Sequence, residues 1–176
     1  MNNNVEIKLQ LPDINELLRL PASLYNKRTL ETDAEEYIFE EAEALPRKAA
    51  INIKVYLASS EAKYKDDIAP AIRSHFCYRK EQSQKEYKGI FQYGWRILFI
   101  AMGLLALIFA ITEIAFYYAP DNKLVLFIHE SFIILSWVAL WRPLELLLYE
   151  WYPVKTDINL YSRLEHSNVE VIITES

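Results

Sequence analysis

The sequence predicts an α+β membrane protein, with a two-helix transmembrane hairpin joined to a small cytoplasmic α+β domain. Nearly continuous apolar runs occupy 97–119 and 124–142, and a short polar turn, 120–123, separates them. A membrane-spanning helix needs about 20 mainly apolar residues, and both runs approach or exceed that length. Alternating apolar and polar residues near both ends of the chain predict about three strands. We therefore expect both ends to build the domain.

Composition and charge restrict the function. The chain has 176 residues, 52% of them apolar, and a net charge of −5, which argues against nucleic-acid binding. A single cysteine excludes an internal disulfide, and three glycines cannot build a phosphate-binding loop. The polar start lacks the apolar core of a signal peptide. We predict no enzymatic activity and no catalytic, cofactor or metal site.

Residues 1–66 are predicted to form the first cytoplasmic part of the domain. Alternation predicts strands over 5–11 and 51–57, with a helix between them. A capping box of Thr32 and Glu35 predicts the start of that helix, and Pro46 predicts its end. The order strand, helix, strand indicates a crossover, so the two strands should be parallel. The predicted inward positions are Ala34, Tyr37, Ile38, Ala42 and Leu45.

Two further patterns concern the same part of the chain. Asp13 with Glu16 predicts a short helix over 14–19 that Pro21 stops, followed by a loop over 21–31. The glutamates of the Thr32 helix are interpreted as a solvated face.

The C-terminal segment, 154–176, is predicted to complete the domain. Asp157 is expected to cap a helix that ends at Glu165, and 169–173 is a third candidate strand. A single isolated ribbon is unstable, so this strand should pair with the N-terminal strands. That pairing requires both ends of the chain on one side of the membrane.

The segment 67–96 predicts a juxtamembrane helix continuous with the first span, since no glycine or proline interrupts 71–88. Between Arg73 and Arg96, basic residues outnumber acidic ones, whereas the turn has a single basic residue, Lys123. The positive-inside rule therefore predicts that both termini are cytoplasmic. The expected partner is the bilayer itself, including anionic lipids at this basic helix.

The inner end of the hairpin is predicted to anchor it at the membrane surface. Residues 143–153 are expected to form an amphipathic interfacial stretch that ends at Pro153, and Pro143 should cause a kink or an exit from the membrane. Arg142 is expected either to reach lipid phosphates or to pair with Glu145. The predicted anchor residues are Arg96, Trp141, Arg142, Pro143, Glu145 and Trp151.

Ionisable residues inside the spans are the candidate functional site. Glu113 and Glu130 are expected about 10 Å below the outer surface at matching depth, with His129 beside them. One interpretation is a proton- or cation-handling site shared between subunits. The other is that these groups are wetted by the interface or fix helix packing by hydrogen bonds.

A seam of small residues on the first span predicts close helix packing. Gly103, Ala106 and Ala110 follow one another at helical spacing and lead to Glu113. Glu113 is therefore expected between helices rather than against lipid. The packing partner could be the second span or another copy of the chain.

Several sequence blocks resemble a family of small uncharacterised bacterial membrane proteins. The resembling blocks are 33–36 with 45–46, 75–79, 137–139, 141–145 and 148–153. The most specific block is the WRPLE sequence from Trp141 to Glu145, followed by LYEWYP from Leu148. Family members have a glycine where this chain has Ser136. The resemblance implies the topology and a bacterial inner membrane, and it brings no activity or ligand.

Three functions fit these patterns. We expect foremost a non-enzymatic scaffold or complex subunit that acts by self-association or by binding a membrane protein partner. The alternative is a small proton- or cation-conducting oligomer that uses Glu113 and Glu130. A lipid-modifying enzyme is the third.

Overall fold

The computed structural model describes residues 4–11, 13–19, 29–47, 49–118 and 123–174. The chain divides into two compact units. We call Met1–Ser83 with Thr156–Ser176 the sheet unit, and Gln84–Lys155 the hairpin unit. The chain is mostly helical, with two long apolar helices and a small three-stranded sheet, as the α+β prediction requires.

The sheet confirms the predicted strands and their pairing. Strand β1 (Asn4–Leu11) and strand β5 (Asn168–Thr174) flank the central strand β4 (Ala50–Ala58). Both pairings are parallel, with Ile7 opposite Ile53 and Ile53 opposite Val169. The crossover between β1 and β4 is therefore confirmed. So is the pairing of the C-terminal strand with the N-terminal strands.

Alternation places one face of the sheet in the core of the sheet unit. Every second residue of β4, from Ile51 to Leu57, is buried, because successive side chains of a strand point to opposite faces. Helices cover that face with buried side chains that include Ile38, Phe76 and Leu164, all fully inaccessible. Arg163 adds a polar link across the unit, because its guanidinium donates to the carbonyls of Pro46 and Ala49 at 3.1 and 3.0 Å.

The predicted helix over 14–19 is wrong in extent. Only Ile14–Glu16 forms a turn of 3₁₀-helix, and Asp13 caps it by accepting a hydrogen bond from the Asn15 amide at 3.0 Å. Strand β2 (Leu18–Arg19) follows and pairs antiparallel with strand β3 (Thr29–Leu30). Buried Leu18 and Leu30 face each other in that pair, so tertiary packing overrides the helical pattern. The predicted stop at Pro21 lies outside the described residues.

Helix α1 (Thr32–Glu43) lies where it was predicted but begins differently. Glu31 is the N-cap residue and provides no side-chain cap, so the capping box of Thr32 and Glu35 is wrong. The Glu35 carboxylate instead contacts residues of another helix. Among the predicted inward positions, Ala34, Ile38 and Ala42 are buried, whereas Tyr37 is exposed.

The long helices agree with the predicted spans. Helix α2 (Lys65–Tyr118) has 54 residues and continues without interruption through 97–118. A 3₁₀ segment, Ser59–Tyr64, precedes it. Helix α3 (Lys123–Glu145) covers the second apolar run. Most of the predicted turn, 120–122, lies outside the described residues.

The chain beyond α3 stays helical, which corrects two predictions. A π-helical turn (Leu146–Glu150) leads directly into helix α4 (Trp151–Glu165). Pro153 lies inside this continuous helical stretch and does not end it. Asp157 also lies inside α4, so the helix does not begin there as predicted. Its buried residues are Leu160, Tyr161 and Leu164.

Within the hairpin unit, α2 packs on α3 and on the turn that follows it. Over 94–115 of α2, seven buried or half-buried residues recur at alternating intervals of four and three, which is the spacing of a helix–helix seam. They are Gly94, Leu98, Ala101, Leu105, Ile108, Thr112 and Ala115. A Cβ on Gly94 would lie 2.9 Å from Cδ2 of Leu147, so the glycine permits close approach at the inner end.

Candidate functional site

The predicted intramembrane carboxylates do not form a site within one chain. Glu113 and Glu130 are both exposed, and His129 is half-buried with its ring 6.5 Å from the ring of Phe116. Among the described residues, no hydrogen bond or ion pair joins these three side chains. The expectation that Glu113 lies between helices is wrong for the two helices of one chain. Whether another copy covers it stays a prediction.

The residue that does face α3 at this level is Thr112, the neighbour of Glu113. Thr112 is buried, and its hydroxyl donates to the carbonyls of Ile108 and Phe109 at 3.1 and 2.9 Å. Its hydrogen-bonding capacity is therefore satisfied inside its own helix. A pocket of about 230 Å³ lies beside it between α2 and α3. Its other lining residues are apolar: Ile108, Ile111, Ala115, Val125, Ile128 and Phe132.

The small-residue seam points away from the second span. Gly103, Ala106 and Ala110 are exposed, and a Cβ on Gly103 would meet nothing within 4 Å. The seam that packs on α3 instead contains Ala101, which the sequence pattern did not single out. Of the two open alternatives, the second span is therefore excluded as the partner of Gly103.

The inner end of the hairpin carries an ionic cluster that we call the Arg142 cluster: Arg142, Glu145 and Glu150. One guanidinium nitrogen of Arg142 lies 3.0 Å from Glu145 Oε2 and 2.6 Å from Glu150 Oε1. Pairing with Glu145 was one of the two alternatives for Arg142. Glu150 is a second partner that the sequence spacing did not indicate.

The π-helical turn explains why Glu150 reaches Arg142. Residues eight apart in a regular α-helix are rotated by about 80° from each other. A π-helical turn accommodates about one extra residue, so this separation acts like seven, which is close to two full turns. The turn follows Pro143, which is buried and remains inside α3. The predicted disturbance at Pro143 therefore takes the form of a π-helical turn a few residues later.

A groove of about 300 Å³ lies along the same segment. Its walls are the aromatic residues Trp137, Trp141 and Tyr149 with three leucines, Leu140, Leu144 and Leu148. Glu145 is the one carboxylate that lines it, and through Glu145 the groove adjoins the Arg142 cluster. Leu144 and Leu148 are exposed, whereas Leu146 is buried.

The remaining predicted anchors differ in their surroundings. Arg96 is exposed, whereas Trp151 is half-buried. Its ring is edge-on to Tyr87 and tilted to Phe91, with ring centroids 6.4 and 6.3 Å away. Lys155 lies over the Trp151 ring, with its amine 5.3 Å from the centroid. These contacts join the start of α4 to α2 within the hairpin unit.

The sheet unit contains a half-buried polar cluster that sequence analysis missed. Glu35 of α1 lies 2.9 Å from Nε2 of His75 and 2.5 Å from Nε of Arg79, both on α2. The side chains of His75 and Glu35 are only 9% and 16% exposed, so the contacts are shielded from water. Among the described residues, Nδ1 of His75 has no hydrogen-bond partner. Tyr161 lies against this cluster, and burial raises the pKa of its phenol.

A second ion pair, between Lys80 of α2 and Glu165 of α4, adjoins the lone cysteine. The hydrogen bond from Lys80 holds the pKa of Glu165 below its usual range. The carboxylate of Glu165 in turn raises the pKa of the Cys77 thiol, so that thiol stays protonated at neutral pH. The basic neighbours of Cys77 in sequence therefore do not activate it. Arg79 and Lys80, counted among the basic juxtamembrane residues, make ion pairs within the sheet unit.

No group of three or more histidine, cysteine, aspartate or glutamate residues in the described part of the chain could hold a metal ion. Comparison with protein-family models, curated proteins and solved structures finds no match. The resemblance to a bacterial membrane-protein family stays a prediction.

Proposed function

We propose that this chain is an integral protein of a bacterial inner membrane, held there by the α2–α3 hairpin, and that it acts without catalysis as a scaffold or complex subunit. One observation carries the membrane assignment. Two helical stretches, Ser59–Tyr118 and Lys123–Glu165, are long and apolar enough to span a bilayer. Only 11% and 0% of the residues in their most apolar windows are buried.

That exposure argues against a soluble helical pair. A core helix of a soluble protein passes the same length and composition test, but its apolar residues are buried by the rest of the chain. Here large apolar side chains of both α2 and α3 are exposed, among them Phe99, Phe109, Ile134 and Trp137. Exposed apolar surface of this extent marks contact with lipid or with partner proteins.

The proposed orientation has both termini in the cytoplasm. Support comes first from the sheet, because β5 pairs with β4, and strands of one sheet must lie on the same side of a bilayer. The exposed basic residues before the first span support the cytoplasmic side: Arg73, Lys85, Lys88 and Arg96. The same residues are available for anionic lipids.

The proposed scaffold role is supported by the exposed seam of Gly103, Ala106 and Ala110. Small residues allow two helix backbones to approach closely in a membrane, and this seam is not used by the second span. We infer that it receives a helix of another copy or of a membrane protein partner.

The experiment is a combined insertion and topology assay. In a Cys77→Ser background, Ser176→Cys and Lys123→Cys report the C-terminus and the start of α3 with a membrane-impermeant thiol reagent. We expect resistance to alkaline extraction, labelling of Lys123→Cys in intact cells, and labelling of Ser176→Cys only after lysis. Labelling of Ser176→Cys in intact cells would overturn the orientation, and release by alkali would overturn insertion.

The exposure of Glu113 and Glu130 favours one second candidate, an oligomer that conducts protons or cations. Carboxylates in a span are costly unless they face a partner or a water-filled cavity. Ion flux into liposomes distinguishes the candidates, with a Glu113→Gln, Glu130→Gln chain as comparison. If the chain conducts ions, the unmodified chain gives flux and the double variant does not. If both give only background flux, conduction is ruled out and the scaffold role stands.

A further inference from the structure

The groove beside the Arg142 cluster is placed where a lipid can bind. Its lining residues run from Trp137 to Tyr149, about 18 Å at the rise of a helix. The part from Trp137 to Trp141 lies within the predicted second span, 124–142, and the part from Leu144 to Tyr149 lies beyond it, so the groove crosses the proposed boundary between hydrocarbon and headgroups. The wall is almost entirely aromatic and aliphatic, which suits an acyl chain better than a polar solute.

The rim of the groove is charged in a specific pattern. Arg142 carries one positive charge, and Glu145 and Glu150 carry two negative charges within 3.0 Å of it. The three side chains are 59%, 42% and 37% exposed, so a headgroup can reach them. An exposed guanidinium offers further N–H donors besides those used by the two carboxylates.

We propose that the groove binds a single phospholipid whose headgroup contains both a phosphate and a primary ammonium. The acyl chain lies against Trp137 and Trp141, the phosphate accepts hydrogen bonds from Arg142, and the ammonium donates to Glu145 and Glu150. The inference rests on the membrane insertion proposed above.

Charge complementarity selects this headgroup over two others. An anionic headgroup without an amine would meet Arg142 but would face two carboxylates that it cannot neutralise. A quaternary ammonium has no N–H, whereas a primary ammonium has three donors for the carboxylate oxygens. Only a headgroup that carries both a phosphate and a primary ammonium satisfies both signs of the Arg142 cluster.

The test uses the full chain in nanodiscs and brominated acyl chains, which quench nearby tryptophans. The substitutions Trp95→Phe and Trp151→Phe leave Trp137 and Trp141 as the reporters. In one preparation, brominated phosphatidylethanolamine is a minor component in phosphatidylglycerol. In the other, brominated phosphatidylglycerol is a minor component in phosphatidylethanolamine. We expect the amine lipid to quench at an about tenfold lower mole fraction, the effect of one charge-assisted interaction.

Three variants and one control locate the effect. Glu145→Gln and Glu150→Gln should each reduce the preference, and Arg142→Gln should weaken quenching by both lipids. Glu130→Gln also removes an exposed carboxylate from α3, but it lies outside the groove and should change nothing. A loss of preference in Glu130→Gln equal to that in Glu145→Gln would overturn the assignment to the groove.

The outcomes separate the two proposals. Equal quenching by both lipids, from a chain incorporated in the nanodisc, overturns the lipid site and leaves the membrane assignment intact. A chain that elutes without the nanodisc overturns both. A third preparation with brominated phosphatidylcholine tests the need for N–H donors. Quenching equal to that by phosphatidylethanolamine would overturn the proposed role of the primary ammonium.

Discussion

The sheet unit and the hairpin unit use apolar residues in opposite ways. In the sheet unit, Ile53, Phe76 and Leu164 are fully buried against one face of a sheet. In the hairpin unit, residues of the same type, such as Ile134 and Leu107, face outward. One chain therefore contains a buried apolar core and a large exposed apolar surface. The proposed membrane insertion accounts for the second, because burial of apolar area is the dominant favourable term in folding and in association.

The units also treat carboxylates differently. Glu35 and Glu165 of the sheet unit each pair with a cationic side chain of α2, namely Arg79 and Lys80. Glu113 and Glu130 of the hairpin unit have no such neighbour among the described residues of their own chain. Among the described residues of that unit, acids are paired in the Arg142 cluster at the inner end. Pairing therefore concentrates outside the predicted hydrocarbon region.

The largest expected effect comes from charging the exposed face of α2. Leu107→Arg with Ile111→Arg should abolish stable insertion, because each arginine near the centre of a span costs about 2.5–3.5 kcal/mol. The measurement is the fraction of chain that resists alkaline extraction. The matched control is Tyr37→Arg with Glu41→Arg, two exposed positions at the same spacing on α1. If the two double variants resisted alkaline extraction to the same extent, the contrast between the units would be contradicted.

The second largest effect is expected from truncating a buried isoleucine of the sheet unit and comparing it with an exposed one of the hairpin unit. Ile53→Ala, at a fully buried position of β4, should lower the free energy of unfolding by about 2–5 kcal/mol. Ile133→Ala, on the exposed face of α3, should cost much less because it leaves no cavity within the chain. Denaturation of both variants in mild detergent measures the difference. A similar loss from both would mean that Ile133 is buried against something in solution.

Two glycines of the same helix sharpen the comparison within the hairpin unit. Gly94→Leu should destabilise the α2–α3 packing by about 1–3 kcal/mol, because Leu147 already occupies the space. Gly103→Leu meets no atom of its own chain and should leave the folded monomer intact. If the exposed seam binds a second helix, however, Gly103→Leu should reduce cross-linked oligomers in mild detergent. If cross-linking of the unmodified chain yields only monomer, that result would count against the seam as a self-association surface.

The smallest effect concerns pH and the pair of Lys80 with Glu165. Because the pKa of Glu165 is lowered in the folded chain, its stabilising contribution is present above its unfolded value, about 4.3. That contribution disappears as the pH falls through the lower folded value. Glu165→Gln should therefore lose about 1 kcal/mol at pH 7 and almost nothing at the lowest pH. Thermal unfolding across that range checks this, with exposed Glu170→Gln as the control.

Regular periodicity made much of the fold predictable. The strands around Ile7, Ile53 and Val171 followed from strict alternation, and the parallel order followed from the helix between the first two. The two long helices followed from unbroken apolar runs. Local capping signals were poorer predictors of structure. Glu35 pairs with Arg79 of α2 instead of capping the N-terminus of its own helix.

The candidate site could be predicted only by residue type. Arg142 and Glu145 were identified from their spacing, but Glu150 was not, because its position depends on a π-helical turn that changes the helical phase. His75 and Glu35 are forty residues apart in the sequence and meet only after α1 and α2 pack. No local pattern carries that information.

The sequence by itself determined where apolar surface occurs and with what period, and this is enough to define the strands and the two apolar helices. The tertiary structure decided which faces of those elements touch. It placed Ala101 and Thr112 rather than Gly103 against the second span, and it turned the Trp137 face outward to form the groove. The physical reason is that periodicity fixes the direction of a side chain about its own helix, whereas its neighbours depend on how the helices approach each other.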